Sequence, residues 1–241
     1  MRHSPHIPLV LALGALTACA DSAVPPTALL APHSIATSSA AAPLRTQSVQ
    51  PVLFAVRGSA NPASPMLSLS SPPGTLLFTA SPNPTTGLGM PVFAPDGHQL
   101  TLGEWITPSG RAAIKCIPSG THTVLHFSHL VPNGTYTVWQ LVFMSPGFVG
   151  NPEINLIALG ALGPNDGSAN SFRASSSGEG ELSAVTPGGN LSIFGAIAAC
   201  ATDEFEVHYL AAYHIDGLTH GPTPGPDGTF AEDAGIIFRM P

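Results

Sequence analysis

The sequence predicts an all-β protein built as a single β-sandwich of mostly antiparallel strands. Gly and Pro, which favour turns, number 25 and 26 among 241 residues. Short runs of alternating apolar and polar side chains recur along the chain, and no long stretch carries the apolar period of an amphipathic helix. Charged residues make up only 9%, which excludes coiled coils and highly charged disordered chains.

A series of short runs is predicted as strands because turn signals such as Pro132-Asn133-Gly134 separate them. The predicted strands cover residues 51–56, 75–79, 110–117, 121–130, 135–143, 154–162, 179–185, 191–197, 205–215 and 234–239. Short strands at this spacing are typical of an immunoglobulin-like or jelly-roll-like sandwich. We expect the domain to span residues 51–241, with its densest part at 97–241.

One hairpin can be predicted together with its register. Val131-Pro132-Asn133-Gly134 has the residue types of a type I turn followed by a glycine bulge. This turn places Phe127 opposite Trp139, so that the largest apolar side chains of the two flanking strands share one face. The sequence therefore predicts that these strands are hydrogen-bonded neighbours, with Trp139 in the core and with His122 and His126 together on the opposite face.

The N-terminus carries an export signal. Residues 7–18 form an apolar run that is too short to span a bilayer, which needs about 20 residues. The run ends in Leu16-Thr17-Ala18-Cys19, which resembles the lipobox of bacterial lipoproteins. The resemblance implies that residues 1–18 are removed as a signal peptide and that Cys19 receives the acyl chains. Ala20 stands where an Asp commonly signals retention in the inner membrane, so the outer membrane is favoured.

Residues 19–50 are predicted to form a flexible tether between the lipidated cysteine and the folded domain. They are mostly Ala, Ser, Thr and Pro, and Asp21 and Arg45 are their only formal charges. Such a composition buries too little apolar surface to offset the entropy lost on ordering. As a random coil the tether would reach roughly 30 Å, which is enough to lift a domain off a membrane.

Cysteine usage agrees with an exported protein. Once Cys19 is lipidated, only Cys116 and Cys200 remain in the chain. An oxidising envelope would join these two cysteines in a disulfide, which is the pairing that we expect. Two buried free thiols, or a thiolate metal ligand, are the alternatives that the sequence leaves open.

The chain contains more histidines than lysines and arginines together, ten against seven, which is unusual. The candidate metal ligands are His122, His126, Glu206, His208, His214, Asp216 and His220. The first two share one strand face, the next two share another, and the last three lie on a Gly- and Pro-rich loop. Two such groups meeting in space would make a three- or four-ligand site for Zn or Cu. The alternative is a set of solvent-facing histidines that hold no metal.

Charge and motifs limit the functions that the sequence allows. With a net charge of −7 and seven cationic side chains, nucleic-acid binding is not expected. The sequence holds no nucleophile elbow, zinc-protease motif or phosphate-binding loop, which favours a binding or structural module over an enzyme. We therefore expect a lipid-anchored cell-envelope protein whose partners are the membrane, through the N-terminal acyl chains, and another envelope protein. A His-rich protein that binds Cu or Zn, with a redox or metal-handling role, is the alternative.

Overall fold

A computed structural model of the protein describes residues 49–188, 200–201 and 206–239. The predicted signal peptide, Cys19 and almost all of the tether lie outside these residues, and so does the strand predicted at 191–197. Among the described helices, none combines the length and the apolar character needed to cross a membrane.

The prediction of an all-β protein with antiparallel sheets is confirmed, since strands dominate the described residues and the two helices are single turns. In chain order the elements are β1 (Gln50–Pro51), β2 (Val56–Arg57), β3 (Phe78–Thr79), α1 (Leu102–Trp105), β4 (Ser109–Ile117), β5 (Gly120–Ser128), β6 (Thr135–Phe143), α2 (Pro152–Asn155), β7 (Leu156–Ala161), β8 (Ser171–Arg173), β9 (Gly180–Pro187), β10 (Glu206–His214) and β11 (Phe230–Arg239). Strand β6 has the bounds that the sequence predicted, whereas β8 and both helices were not foreseen.

The described strands form three sheets. The largest sheet has six strands in the order β1-β11-β10-β6-β7, with β8 also paired to β6. A second sheet has the order β4-β5-β9, and β2 pairs with β3 in a third. Strand β10 lies in the middle of the six-stranded sheet and is buried along almost its whole length. On the face that points away from the core, the loop residues Phe148 and His220 contact His208 and His214 of this strand.

The six-stranded and three-stranded sheets contact each other through their inner faces. The Thr123 hydroxyl of β5 lies 2.9 Å from the Tyr209 hydroxyl of β10. Phe127 of β5 stacks on Phe172 of β8 with ring centroids 5.8 Å apart. Phe127 and Tyr209 belong to one buried apolar cluster that draws on both sheets, and Phe172 packs against it. Burial of this shared apolar surface is the main force that holds the sheets together.

The predicted hairpin is wrong, because β5 and β6 belong to different sheets. Strand β5 pairs with β4 and β9, whereas β6 pairs with β10, β7 and β8. The predicted turn does form, since the Gly134 amide donates to the Val131 carbonyl over 2.9 Å and Asn133 has a φ of 57°. However, the Leu130 amide bonds to the Gly178 carbonyl, so the chain after β5 stays beside the segment that leads into β9 before it reaches β6 in the six-stranded sheet.

The predicted register placed Trp139 in the core, and this prediction is also wrong. On β6 the buried inner face is formed by Tyr136, Val138, Gln140 and Val142. Trp139 lies on the other face, half-buried, and its indole N–H donates to the Pro222 carbonyl over 3.2 Å. His122 and His126 do share the outer face of β5, as predicted, because that part of the prediction needed only the alternation along one strand.

The predicted disulfide between Cys116 and Cys200 is confirmed. The two Cα atoms are 5.7 Å apart and the bond spans 84 residues of sequence. Thr121 supports the bond locally, since its hydroxyl donates to Cys200 Sγ over 3.2 Å and accepts a bond from the Ala201 amide over 2.7 Å. The disulfide therefore joins the end of β4 to the chain shortly before β10.

Candidate functional site

The seven candidate ligands are distributed over three separate places. His122 and His126 lie on β5, Glu206 and His208 lie at the start of β10, and the remaining three lie at its end. Only His214, Asp216 and His220 bring their ligand atoms together, all within 4.8 Å of one another. Among the residues that the structure describes, this is the one group of three metal-ligating side chains at such short distances.

His122 and His126 contact neighbours on their own sheet. His122 Nε2 lies 3.0 Å from the Ser183 hydroxyl, and His126 Nδ1 lies 3.7 Å from the Glu181 carboxylate. Both partners are on β9: Glu181 lies directly opposite His126, and Ser183 lies two residues along the strand from the position opposite His122. The two histidines therefore stay on the outer face of the three-stranded sheet, apart from the other candidate ligands.

Glu206 and His208 form an internal ion-pair cluster with Arg239. The His208 Nε2 atom contacts Glu206 Oε1, and Arg239 Nε donates to Glu206 Oε2 over 2.9 Å. Burial alone would raise the pKa of Glu206, but the hydrogen bonds from His208 and Arg239 outweigh it and leave that pKa below its usual value. Burial lowers the pKa of His208, whose ring packs between Phe143 and Phe148. This cluster stabilises one end of β10.

His214 is positioned by the sheet itself. It is the last residue of β10 and only 1% exposed, and its Nε2 lies 2.6 Å from the Thr137 hydroxyl on neighbouring β6. Its Nδ1 atom is buried and has no hydrogen-bond partner among the described residues. When Nε2–H donates to Thr137, Nδ1 carries an unused lone pair, which is the form of imidazole that binds a metal ion.

Electrostatics keep this imidazole neutral at physiological pH. The pKa of His214 is lowered to about 4, chiefly by burial; the Asp216 carboxylate opposes this effect and the neighbouring His220 adds to it. A histidine must be deprotonated at one nitrogen to bind a metal, so a low pKa leaves the ligand ready at pH 7. The Asp216 carboxylate supplies the negative charge that would partly balance a bound cation.

The other two ligands lie on the loop that follows β10, as the sequence predicted. His220 Nε2 is 2.9 Å from Asp216 Oδ2, and the rings of His214 and His220 have centroids 5.7 Å apart. Both loop residues remain partly exposed, with side chains 25% and 22% accessible for Asp216 and His220. An ion or an exchanging ligand could therefore reach the site from solvent.

Three side chains from the six-stranded sheet and its connections hold this loop in place. The Trp139 indole donates to the Pro222 carbonyl, Asn170 Nδ2 donates to the Gly221 carbonyl over 3.0 Å, and the Thr135 hydroxyl donates to the Gly217 carbonyl over 3.2 Å. Gly217 and Gly221 have φ values of 70° and 65°, which favour glycine. Sequence reasoning missed these supporting residues, because no local pattern links them to the loop.

A second polar feature lies on the outer face of the three-stranded sheet. An open cleft of about 600 Å³ is lined mainly by Ser109, Arg111, His126, Ser128, Glu179 and Glu181. Ser128 donates to Glu179 over 2.7 Å, and Arg111, His126 and Glu181 lie side by side in the ladder. Glu181 lies on β9 and Glu179 directly precedes that strand, so the two carboxylates are two residues apart on one segment and do not oppose each other across the cleft.

The cluster of His214, Asp216 and His220 thus combines a buried imidazole nitrogen that lacks a partner, a carboxylate and a second imidazole. Two nitrogen ligands and one oxygen ligand form a donor set that divalent transition metals accept. No family model matches the chain, and neither a curated protein nor a solved structure resembles it significantly. A function is therefore inferred from the geometry of the site alone.

Proposed function

We propose that this protein is a lipid-anchored binding module of the bacterial cell envelope, and that its folded domain binds a Zn or Cu ion through His214, Asp216 and His220. The observation that carries the proposal is the Nδ1 atom of His214. A buried polar atom without a partner is destabilising, and a metal ion bound by the cluster would satisfy it.

Two imidazoles and one carboxylate suit either ion. Zinc sites with three protein ligands keep a fourth position for water or substrate, and copper also accepts imidazole and carboxylate ligands. With three ligands the site would leave coordination positions open, which favours exchange of the ion or of a bound ligand over a purely structural role. A metal-handling role follows for either ion, and a redox role requires copper.

Metal analysis of the full-length protein tests this proposal. Protein purified without chelator should contain about one equivalent of Zn or Cu per chain, since residues 49–188, 200–201 and 206–239 supply one clustered ligand set. The Asp216→Asn and His220→Ala variants change partly exposed side chains, and each should weaken binding at least about tenfold in a titration with Zn²⁺ or Cu²⁺.

The His122→Ala variant is the matched control, because it removes a histidine from the opposite sheet and should leave affinity unchanged. Substoichiometric metal in the wild type, or equal affinity in all variants, would contradict the proposal. A display or assembly role with another envelope protein would then be the better explanation, and isolation of a partner from membranes would be the next measurement.

The lipid anchor is supported by Leu16-Thr17-Ala18-Cys19, which resembles a lipobox. Cells fed a radioactive fatty acid should label the wild-type protein and the Cys116→Ala variant, but not the Cys19→Ala variant. Unlabelled wild type, or label that persists in Cys19→Ala, would refute lipidation. The labelled protein should fractionate with the outer membrane of a diderm bacterium, in agreement with Ala20 after the cysteine.

We also infer that the six-stranded and three-stranded sheets are the two layers of a single β-sandwich. The pairs Thr123–Tyr209 and Phe127–Phe172 support this inference, as does the bond of 2.8 Å from Gln140 Nε2 to the Thr186 hydroxyl. Each pair takes one side chain from each sheet, so the contacts run across the core at several levels. In this arrangement the metal-ligand loop lies beyond one end of β10, where sequence changes do not disturb the core.

A further inference from the structure

Several large apolar side chains are exposed on the loop that connects β6 to β7. Met144, Phe148, Val149 and Ile154 are 46%, 53%, 54% and 71% exposed. Single exposed apolar residues are common on soluble domains, but a group of four on one connection marks a surface that contacts something other than water. We call residues 144–154 the apolar loop.

The apolar loop is held in a defined shape. The buried side chain of Asn155 donates from Nδ2 to the Gly147 carbonyl over 2.8 Å and to the Val149 carbonyl over 2.9 Å. The Met144 amide closes the base of the loop by donating to the Asn155 carbonyl over 3.0 Å. The apolar side chains are therefore displayed by hydrogen bonds beneath them, and their exposure does not come from a lack of internal structure.

Charge at this end of the domain is low. Glu153 is the only charged residue in the apolar loop. At the base of the loop, Glu206 is paired with Arg239 and His208, so its charge is balanced. A surface that is apolar and nearly neutral fits a zwitterionic lipid interface, whereas an anionic surface would repel a chain with a net charge of −7.

The register of β1 gives the direction in which the described chain begins. Strand β1 is antiparallel to β11, with Gln50 opposite Gly235 and Pro51 opposite Ala234. Val49, the first described residue, therefore lies toward the C-terminal end of β11. That end of β11 is aligned through Glu206 with Phe143, where the apolar loop begins. From Val49 the described chain thus runs into the sheet away from the end that carries the apolar loop.

We propose that the apolar loop inserts Met144, Phe148, Val149 and Ile154 into the interface of the zwitterionic bilayer to which the protein is anchored. The inference rests on the proposed lipidation of Cys19. A single loop inserts only weakly, and the lipid anchor raises its local concentration at the membrane surface. Insertion fixes the orientation of the domain. The metal-ligand loop, at the other end of β10, is then held roughly 25 Å farther from the membrane.

Fluorescence quenching in vesicles tests the proposal with the full lipidated protein. Phe148→Trp and Ile154→Trp each add an indole to the apolar loop, and Leu218→Trp adds one at an equally exposed position beyond the other end of β10. Each variant is reconstituted into phosphatidylcholine vesicles with or without bromine on the acyl chains. The added emission of the two loop variants should shift to shorter wavelength and be mostly lost with brominated lipid, while that of Leu218→Trp should be unchanged.

Flotation of the vesicles separates the two ways in which the proposal can fail. Protein that floats with the vesicles but shows no quenching at the loop positions would refute insertion and leave the lipid anchor intact. Protein that does not float would refute the anchor and the insertion together. Equal quenching at Leu218→Trp and at the loop positions would also refute the proposed orientation.

Discussion

Replacing the buried Asp233 with asparagine should remove a pH-dependent loss of stability. Asp233 lies on β11 and is 1% exposed. Its Oδ2 accepts a bond of 2.9 Å from the Tyr136 hydroxyl, while Oδ1 has no partner among the described residues. Burial raises the pKa of this carboxyl from the usual 3.8 to about 7, against a smaller lowering effect of the Tyr136 bond.

The sign and size of the effect follow from the two pKa values. Between about pH 4 and 7 the folded protein keeps a proton on Asp233 that the unfolded chain releases, so this group makes folding less favourable as the pH rises. Each pKa unit corresponds to about 1.4 kcal/mol, so the loss accumulates to about 4 kcal/mol. The Asp233→Asn variant cannot ionise, and its stability relative to wild type should increase by that amount from pH 4 to pH 8.

Urea unfolding at a series of pH values, followed by tryptophan fluorescence with a chelator present, measures this difference. The comparison with wild type is necessary because His214, with its pKa lowered to about 4, changes stability in the opposite direction over the same range. Asp166→Asn is the control, since hydrogen bonds from Ser168 lower the pKa of its exposed carboxyl below 3.8. Its effect on stability lies below about pH 4, so its difference from wild type should not change between pH 4 and pH 8. A difference between Asp233→Asn and wild type that does not change with pH would refute the reasoning.

Three further predictions concern the disulfide, the apolar loop and the metal site. Removing the disulfide in a Cys116→Ala, Cys200→Ala double variant should cost about 4–5 kcal/mol of unfolding free energy in urea, since a loop of 84 residues is no longer closed. Asn155→Ala should cost about 2 kcal/mol and increase hydrogen exchange at residues 147–149, because two hydrogen bonds are lost. Zinc at about 100 times the wild-type dissociation constant should stabilise wild type by about 2.7 kcal/mol in a thermal scan and Asp216→Asn by at most about 1.4 kcal/mol; equal stabilisation would argue against the site.

Much of the local structure could be predicted from the sequence because it depends on neighbours along the chain. The period-two alternation of β6 predicted its bounds and showed which residues of β5 share a face. The same alternation could not show which strand lies beside which. The predicted hairpin turned Trp139 inward, whereas in the structure Tyr136, Val138 and Val142 face inward. The pairing of β6 with β10, which is distant in sequence, decides between the two arrangements.

The candidate site shows the same division. The sequence by itself placed His214, Asp216 and His220 on one short segment at the end of a strand, and the structure brings their ligand atoms within 4.8 Å of one another. It also indicated the disulfide, from the number of cysteines and the oxidising compartment. Only the tertiary structure decided that His122 and His208 lie elsewhere, and that Thr137 leaves one nitrogen of His214 buried without a partner. Burial and hydrogen bonding between distant segments set these properties, and neither leaves a local pattern.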